Sequence, residues 1–223
     1  RSRGLGDVYK RQDKRRLDPT APLLPDLLRA LLEGTDVPWF RLFYMYPSGI
    51  TPELIELIAD ENRILPYLDM PIQYGSDRML KLMRRPERQL TIRQRVEELR
   101  NAIPELTLRT AVILGFPGET EQDFVEMLDL LSEIRFERVG AFPYSREEGT
   151  RAAEMEGHVP IEVINERIGE LMDLQREISF EKNTELIGQR SEVLVDQLLE
   201  DDDEFDATGR TRGQALDIDG VTN

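Results

Sequence analysis

Cysteine is absent from the whole sequence of 223 residues, and histidine occurs once, at His158. Without cysteine the chain has no disulfide framework, no thiolate zinc site, no cysteine nucleophile and no iron–sulfur cluster held by its own thiolates. A single histidine in a polar loop also excludes a histidine-based metal cluster and a Ser–His triad. We therefore assign neither a catalytic nor a metal-ligating residue from the sequence.

Long apolar runs and a secretory leader are also lacking. No run approaches the roughly 20 apolar residues that a membrane span requires. The opening segment, RSRGLGDVYKRQ, has neither a long apolar core nor a cleavage site of small residues. The hydrophobic fraction of 39% and the charged fraction of 33% are ordinary for a soluble globular protein. We expect no membrane partner and a cytoplasmic location.

Basic charge is scarce relative to acidic charge. The chain has 29 Lys and Arg against 44 Asp and Glu, a formal net charge of -15. Affinity for nucleic acid comes largely from Lys and Arg that neutralise backbone phosphates, so nucleic acid is not expected as the main partner. One local cluster is nevertheless basic, formed by Arg78, Lys81, Arg84, Arg85 and Arg88. We interpret it as a solvated face, with docking of phosphate or of a partner as the alternative.

Apolar residues alternate between helical and strand spacing over residues 22–144. The pattern predicts helices over 22–34, from 51 onward, and over 76–83, 91–102 and 121–134, and strands over 39–46, 65–72, 106–114 and 138–144. Strands separated by helices are typical of right-handed βαβ units on a parallel sheet, so we expect an α/β fold. Spacing alone leaves open whether the sheet is doubly wound or part of a barrel. The aromatic residues of the first strand are expected in the core.

The last part of the chain changes character after a polar loop over 145–160. Apolar residues from Ile161 to Ile178 predict one long helix, which Gly188 ends. Strands over 191–200 and within 207–218 are expected to pair with each other. We divide the chain into a non-native or disordered leader over 1–12, a βα domain over 13–187 and a β-rich domain over 188–223 that looks cut off at Asn223.

The ends of three predicted strands carry the candidate binding residues. The turn Gly115 to Glu119 joins a strand to a helix, and its glycines let main-chain N–H groups approach a ligand. Glu119 is interpreted as a cap, a ligand to an amino group, or both. Gln73 follows a buried strand where ligands bind in βα folds, and Phe142 ends another. The alternatives are an ordinary βα turn for Gly115 to Glu119, a turn-stabilising amide for Gln73 and core packing for Phe142.

Four ordered motifs together resemble one family. They are DMPIQYGSDRMLKLMRR, LRTAVILGFPGETEQDF, ERVGAFPYSREEGT and LMDLQREIS. From about Asp18 to Asn223 the sequence resembles the radical S-adenosylmethionine methylthiotransferases, and most of all their RimO-type branch, which modifies an aspartate of a small-subunit ribosomal protein. The resemblance implies the C-terminal part of a partial TIM-type barrel followed by a truncated TRAM β-domain. The segment GRTRGQALDIDGVTN looks like an interrupted TRAM sequence.

The resemblance also implies the cofactors. S-adenosylmethionine is bound in the barrel, and two 4Fe-4S clusters are held by cysteines that lie upstream of the region matched here, one set in a Cys-x3-Cys-x2-Cys loop. Because this chain has no cysteine, we expect it to be inactive alone. Contacts to S-adenosylmethionine are implied for Gln73, Ser76, Arg109, Gly115, Pro117, Gly118, Glu119 and Phe142. These are binding and orienting roles, since the cofactor performs the difficult chemistry.

Two substrates remain within that family, a ribosomal protein and an adenosine in tRNA. Residues 188–223 contain ten acidic side chains and three basic ones. An acidic surface favours a basic ribosomal protein over RNA. An electron donor is a further partner that the resemblance implies for the full-length enzyme. A non-catalytic βα binding module is the alternative from another class, and an aldolase-like barrel is disfavoured because no lysine stands at a strand end.

Overall fold

A computed structural model describes residues 22–199 and 204–223. The described residues fall into two compact units, one up to Pro38 and one from Trp39 onward. The first unit contains helix α1, Leu24–Gly34, where the main-chain N–H of Leu23 donates to the Asp26 carboxylate at 2.7 Å. This confirms the first predicted helix. The predicted leader over 1–12 lies outside the described residues, and the domain boundary at 187 stays a prediction.

The second unit is built around a parallel sheet in the order β1-β2-β3-β4, four strands within the described residues. Helices separate the strands along the chain, which confirms the predicted α/β fold. A strand order that follows the chain order is the arrangement of consecutive βα units in a barrel wall. The elements are β1 Phe40–Leu42, α2 Pro52–Asp60, β2 Ile64–Asp69, α3 Asp77–Leu82, α4 Gln89–Ala102, β3 Thr107–Leu114, α5 Glu121–Ile134, β4 Arg138–Pro143 and α6 Ile161–Glu185.

Strand β3 shows why this sheet has two different faces. Its residues alternate between buried and half-buried along the whole strand. Leu108, Val112 and Leu114 are completely buried in the core. Successive side chains of a strand point to opposite faces, so Arg109 and Ala111 share the other face. That second face is open enough to border the cavities described below.

Side-chain caps explain where three helices begin. Thr51 accepts the N–H of Leu54 at the start of α2, and Ser76 accepts the N–H of Met79 at the start of α3. Thr120 begins α5 and forms a reciprocal pair of hydrogen bonds with the third helical residue. Such caps satisfy N–H groups that have no partner in the first turn. The predicted starts of all three helices are confirmed.

The strand predicted over 39–46 is wrong in its length, and the prediction that its aromatic residues are buried is wrong for three of them. Strand β1 ends at Leu42, and Phe43, Tyr44 and Tyr46 are 41%, 80% and 51% exposed. The physical reason is local, because Tyr44 has a backbone φ of 58° that turns the chain out of the strand. Its N–H donates to the Asp69 carboxylate at 3.2 Å, which holds the turn in place.

After α6 the chain forms an antiparallel hairpin of β5, Val193–Leu198, and β6, Ala207–Thr211. Thr222 then pairs with Gly209 beside it. The predicted pairing is confirmed, but the second strand ends at Thr211 rather than Ile218. The cause is a tight turn in which the Asp219 carboxylate accepts the N–H of Ala215 at 2.9 Å.

The segment after this hairpin packs against the parallel sheet. The Tyr67 hydroxyl donates to Asp219 at 2.6 Å, and Ala215 packs with Leu65 and Tyr67 in a small buried cluster. Burial, and then the hydrogen bond to Asp219, raise the pKa of Tyr67. The assignment of this β-rich segment to a TRAM domain stays a prediction.

Candidate functional site

The carboxyl ends of β2, β3 and β4 surround a cavity of about 590 Å³, which we call the edge pocket. A volume of a few hundred Å³ suits a small molecule, and the carboxyl ends of parallel strands are where βα folds bind ligands. The lining is mostly apolar with a few polar groups. It consists of Tyr44, Pro71, Gln73, Met83, Arg85, Ala111, Ile113, Phe116, Phe142, Pro143, Tyr144 and Ser145.

Gln73 is held at the edge pocket by main-chain hydrogen bonds to β3. Its N–H donates to the carbonyl of Ala111 at 3.1 Å, and its carbonyl accepts the N–H of Ile113 at 3.0 Å. Its φ is nevertheless 69°, in the left-handed region that disfavours a residue with a Cβ. Tyr44, also in the lining, has φ 58°. Strained residues of this kind concentrate at functional sites, and here two of them border one pocket.

Aromatic rings form one wall of the edge pocket. Phe142 is 50% exposed, and a Cβ added at Gly140 would lie only 3.0 Å from its ring, so Gly140 gives this ring its space. Phe116 and Tyr144 meet edge to face with ring centroids 5.4 Å apart. The Tyr144 hydroxyl is buried and has no hydrogen-bond partner among the described residues. A ligand polar group beside this wall would satisfy it.

The Gly115 to Glu119 turn uses its main-chain donors within the protein. The N–H of Gly115 donates to the Glu119 carboxylate at 2.7 Å, and the N–H of Gly118 donates to the carbonyl of Gly157 at 2.8 Å. Both glycines have φ near 80°. These two N–H groups, which the sequence suggested as ligand donors, are therefore already occupied. Pro117 is buried in the same turn and does not line the edge pocket.

Glu119 anchors the turn to helix α6. Its side chain is completely buried, and one carboxylate oxygen accepts the Gly115 N–H. The other accepts from the Arg167 guanidinium at 2.6 Å, and Arg167 also donates to Glu121 at 2.7 Å. Burial alone would lower the pKa of Arg167, but its two carboxylate partners raise it. Sequence reasoning missed Arg167, although it stands between Ile164 and Leu171 on the buried face of α6.

Ser76 lies in the outer layer rather than in the edge pocket. Its buried hydroxyl donates to Asp123 at 2.7 Å, and Arg78 also binds this carboxylate. Burial alone would raise the pKa of Asp123, but the hydrogen bonds from Arg78, Thr120 and Ser76 hold it well below its usual range. This network joins the start of α3 to the start of α5.

Arg109 lies deeper on the open face of the sheet. Its guanidinium donates to the buried carboxylate of Asp69 at 2.6 Å. It borders a separate cavity of about 370 Å³ together with Arg138, Gln175 and Asp219. Of the eight residues predicted to contact S-adenosylmethionine, the structure therefore brings Gln73 and Phe142 into the edge pocket.

Sequence reasoning did not select several residues of the edge pocket. Tyr44, Met83 and Arg85 enter it from turns and helix ends that have no periodic pattern. The guanidinium of Arg85 lies over the ring of Tyr46, 4.6 Å from its centroid, and supplies positive charge at the rim. The basic cluster noted in the sequence was the signal for Arg85.

No helix in the described part of the chain is both long and apolar enough to cross a membrane. Among the same residues, no three His, Asp or Glu side chains come together in a way that would hold a metal ion.

Comparison with known proteins gives consistent matches. Residues 18–131 match the radical SAM superfamily. The chain is 47% identical over 197 residues to the ribosomal protein uS12 methylthiotransferase RimO of Pelobacter propionicus, covering 88% of this chain and 44% of that protein. It is 46% identical over 202 residues to the protein of the same name in Geobacter sulfurreducens, covering 91% of this chain and 45% of that protein. The chain thus spans less than half the length of these relatives.

Among solved structures, the radical SAM enzyme coproporphyrinogen III oxidase (HemN) of Escherichia coli superimposes with a TM-score of 0.58. The match covers 72% of this chain and 38% of that chain at 16% sequence identity. A likeness at this identity shows the shared fold alone. It supports reading the parallel sheet as part of a barrel of this type.

Proposed function

Because the chain belongs to the radical SAM superfamily, we propose that it forms part of a methylthiotransferase that modifies an aspartate of ribosomal protein uS12. The observation that carries the proposal is the identity of 46–47% to enzymes with this substrate over about nine-tenths of the chain. Fold alone would not support it, since one fold hosts many reactions. The proposed substrate is a ribosomal protein, so we also propose that the enzyme acts in the cytoplasm.

The edge pocket suits the adenosyl part of S-adenosylmethionine. Its volume of about 590 Å³ is ample for a nucleoside, and Ile113 and Phe142 offer apolar surface for a base. The Gln73 amide can both donate to and accept from a sugar hydroxyl. The unpartnered Tyr144 hydroxyl is a further polar group for the ligand. We propose these four side chains as the binding contacts from this chain.

The iron–sulfur clusters do not fit this chain, because it has no cysteine. We propose that the full-length protein supplies their thiolate ligands from outside the sequence matched here. S-adenosylmethionine bound beside a reduced cluster would supply the radical chemistry of the superfamily. An electron donor is then a required partner of the full-length enzyme.

The residues of this chain would act by holding and shielding the bound cofactor. Main-chain bonds fix Gln73 to β3, so its side chain would orient a sugar without much loss of conformational freedom. Phe142 would cover the base and exclude water. Glu119 and Arg167 would keep the neighbouring turn in place without touching the ligand.

Charge supports a protein substrate over tRNA. The segment 188–223 has ten acidic and three basic side chains, and the whole chain has a net charge of -15. A surface of this sign attracts a basic ribosomal protein and repels a polyanion. We therefore place modification of a tRNA adenosine second.

The proposal is tested by deleting the gene in its source organism and analysing uS12 by mass spectrometry. We expect methylthio-aspartate to be lost on deletion and restored by the full-length gene. Restoration should be weak with Gln73→Ala and with Phe142→Ala, and complete with Arg190→Gln, which changes an exposed residue distant in sequence from the pocket. Unchanged uS12 after deletion, with loss of methylthio-adenosine from tRNA, would establish the second function instead.

A further inference from the structure

A second cavity of about 490 Å³ adjoins the edge pocket at the carboxyl ends of the strands, and we call it the rim pocket. The two pockets share Met83 and Phe116 as a common wall. The rim pocket lies between the end of α3 and the loop after β4. It is lined by Arg78, Lys81, Leu82, Met83, Arg84, Phe116, Arg151, Ala152 and Met155.

The charge of the rim pocket is opposite to that of the molecule. Four of its lining residues are cations, and none is acidic, whereas the chain as a whole has a net charge of -15. Arg78 is already bound by Asp123 and by the carbonyl of Gly118. The side chains of Lys81, Arg84 and Arg151 have no hydrogen bond or ion pair among the described residues. Three uncompensated cations around one cavity are a site for an anion.

The backbone conformation of Arg84 supports a binding role for its side chain. Arg84 follows the end of α3 with φ 58°, and the next N–H, of Arg85, donates back to the carbonyl of Leu80 at 2.8 Å. This is the helix end at which glycine is preferred, since glycine has no Cβ to strain. An arginine at this position is disfavoured by its backbone, and strained residues of this kind concentrate at functional sites, which supports a role for the guanidinium.

The apolar side chains that line the rim pocket limit the kinds of ligand that fit it. Leu82, Met83, Phe116 and Met155 make its floor apolar beneath the cations. A phosphate ion or a sugar phosphate offers little apolar surface, and a long polyanion would be repelled by the rest of this acidic protein. A short segment with carboxylates and an apolar side chain satisfies both features.

We propose that the rim pocket binds an acidic peptide segment of a protein partner, with its carboxylates on Lys81, Arg84 and Arg151 and an apolar side chain on Met83 and Phe116. The shared wall would bring that partner next to the edge pocket. This inference concerns binding and does not depend on the radical chemistry or on the identity of the methylthio acceptor.

The test uses the 223-residue chain and fluorescein-labelled pentapeptides at low ionic strength, with anisotropy as the readout. The peptide Asp-Leu-Asp-Phe-Asp should bind, and Asn-Leu-Asn-Phe-Asn should bind about tenfold or more weakly, because charge-assisted hydrogen bonds are lost. Asp-Ser-Asp-Ser-Asp should also bind more weakly than Asp-Leu-Asp-Phe-Asp, because its serine side chains cannot cover the apolar floor of the rim pocket. Affinity should fall as salt is added.

Variants locate the binding. Arg84→Gly and Arg151→Gln should each weaken binding of the acidic peptide about fivefold or more. Arg190→Gln, which removes an exposed cation elsewhere, should leave that binding unchanged. Arg84→Gly should leave the chain at least as stable as the wild type, since glycine relieves the left-handed backbone, so unfolding is not an alternative explanation.

Three results would overturn the inference. The first is no binding of the acidic peptide, and the second is binding that neither Arg84→Gly nor Arg151→Gln changes. The third is preference for an eight-nucleotide oligothymidylate or for inorganic phosphate, competed against the peptide and equally dependent on Arg84. This third result would assign the rim pocket to phosphate and not to an acidic peptide.

Discussion

Gly115 stands where strand β3 meets helix α6, and replacing it by alanine tests how that junction is packed. Its φ is +80°, and a Cβ added there would lie 2.2 Å from Cδ1 and 2.4 Å from Cγ1 of Ile164. Carbon atoms do not approach so closely, so either Ile164 or the turn has to move. The change therefore combines a backbone penalty with a steric one.

The two penalties have separate magnitudes. A left-handed conformation costs a residue with a Cβ about 1–2 kcal/mol relative to glycine. Forcing extra atoms into a packed core costs about 1–3 kcal/mol more. We expect Gly115→Ala to lower the free energy of unfolding by about 2–5 kcal/mol, the sum of these ranges.

Gly149 provides a matched control for the backbone part. Its φ is +78°, but no heavy atom lies within 4 Å of a Cβ built there. Gly149→Ala should therefore lose only about 1–2 kcal/mol. The difference between the two alanine variants measures the contact with Ile164.

Urea unfolding followed by fluorescence of the single tryptophan, Trp39, measures these free energies, because Trp39 packs against a buried cluster of the same unit. Ile164→Ala alone should cost about 2–5 kcal/mol as a cavity. In the double variant Gly115→Ala with Ile164→Ala, about 1–3 kcal/mol of the summed loss should be recovered. Equal losses at Gly115 and Gly149, or additive losses in the double variant, would refute the packing described for this junction.

Three further changes test the polar contacts around the site. Glu119→Gln should lower stability by about 1–3 kcal/mol in urea unfolding, because it weakens the hydrogen bonds to Arg167 and to the Gly115 N–H while Arg167 keeps Glu121 as its charged partner; a loss below about 0.5 kcal/mol would contradict that contact. Because the pKa of Asp123 is lowered, the contribution of this carboxylate to stability is fully present above the ordinary carboxyl pKa of about 4 and is lost progressively as pH falls below it. Asp123→Asn should be less stable at pH 7 and should lack much of this acid dependence. Parallel pH profiles of stability for the wild type and the variant would count against this role of Asp123. Because the pKa of Tyr67 is raised, the stability of the wild type should fall as pH rises above about 10. Tyr67→Phe loses the hydrogen bond to Asp219, which should cost about 1–2 kcal/mol, and it should flatten the decline at high pH. A decline of equal slope in the variant would argue against this role of Tyr67.

Most of the regular elements were predictable because their signals are local. The apolar spacing and the caps at Thr51 and Thr120 depend on residues a few positions apart, and helices α2 and α5 begin where these signals stand. The position of Gln73 at the pocket was predictable for a related reason, since parallel strands bring their carboxyl ends to one edge.

The remaining features depend on contacts between distant residues. Arg167 pairs with Glu119 although it lies 48 positions later in the chain, and no periodic pattern in the sequence predicts that pairing. The exposure of Tyr44 arises from one left-handed residue, which an aromatic run does not reveal. Arg109 stays a predicted contact of S-adenosylmethionine, and the sequence spacing did not reveal that its guanidinium donates to Asp69, 40 positions earlier in the chain.

The identity of the acceptor is tested most directly in a reaction that offers both substrates at once. The full-length protein, purified without oxygen and supplied with iron, sulfide, reductant and S-adenosylmethionine, is incubated with unmodified uS12 and unmodified tRNA in the same vessel. Mass spectrometry of both products should show methylthio-aspartate in uS12 and unmodified adenosine in tRNA. Methylthio-adenosine in tRNA with unmodified uS12 would contradict the proposed function.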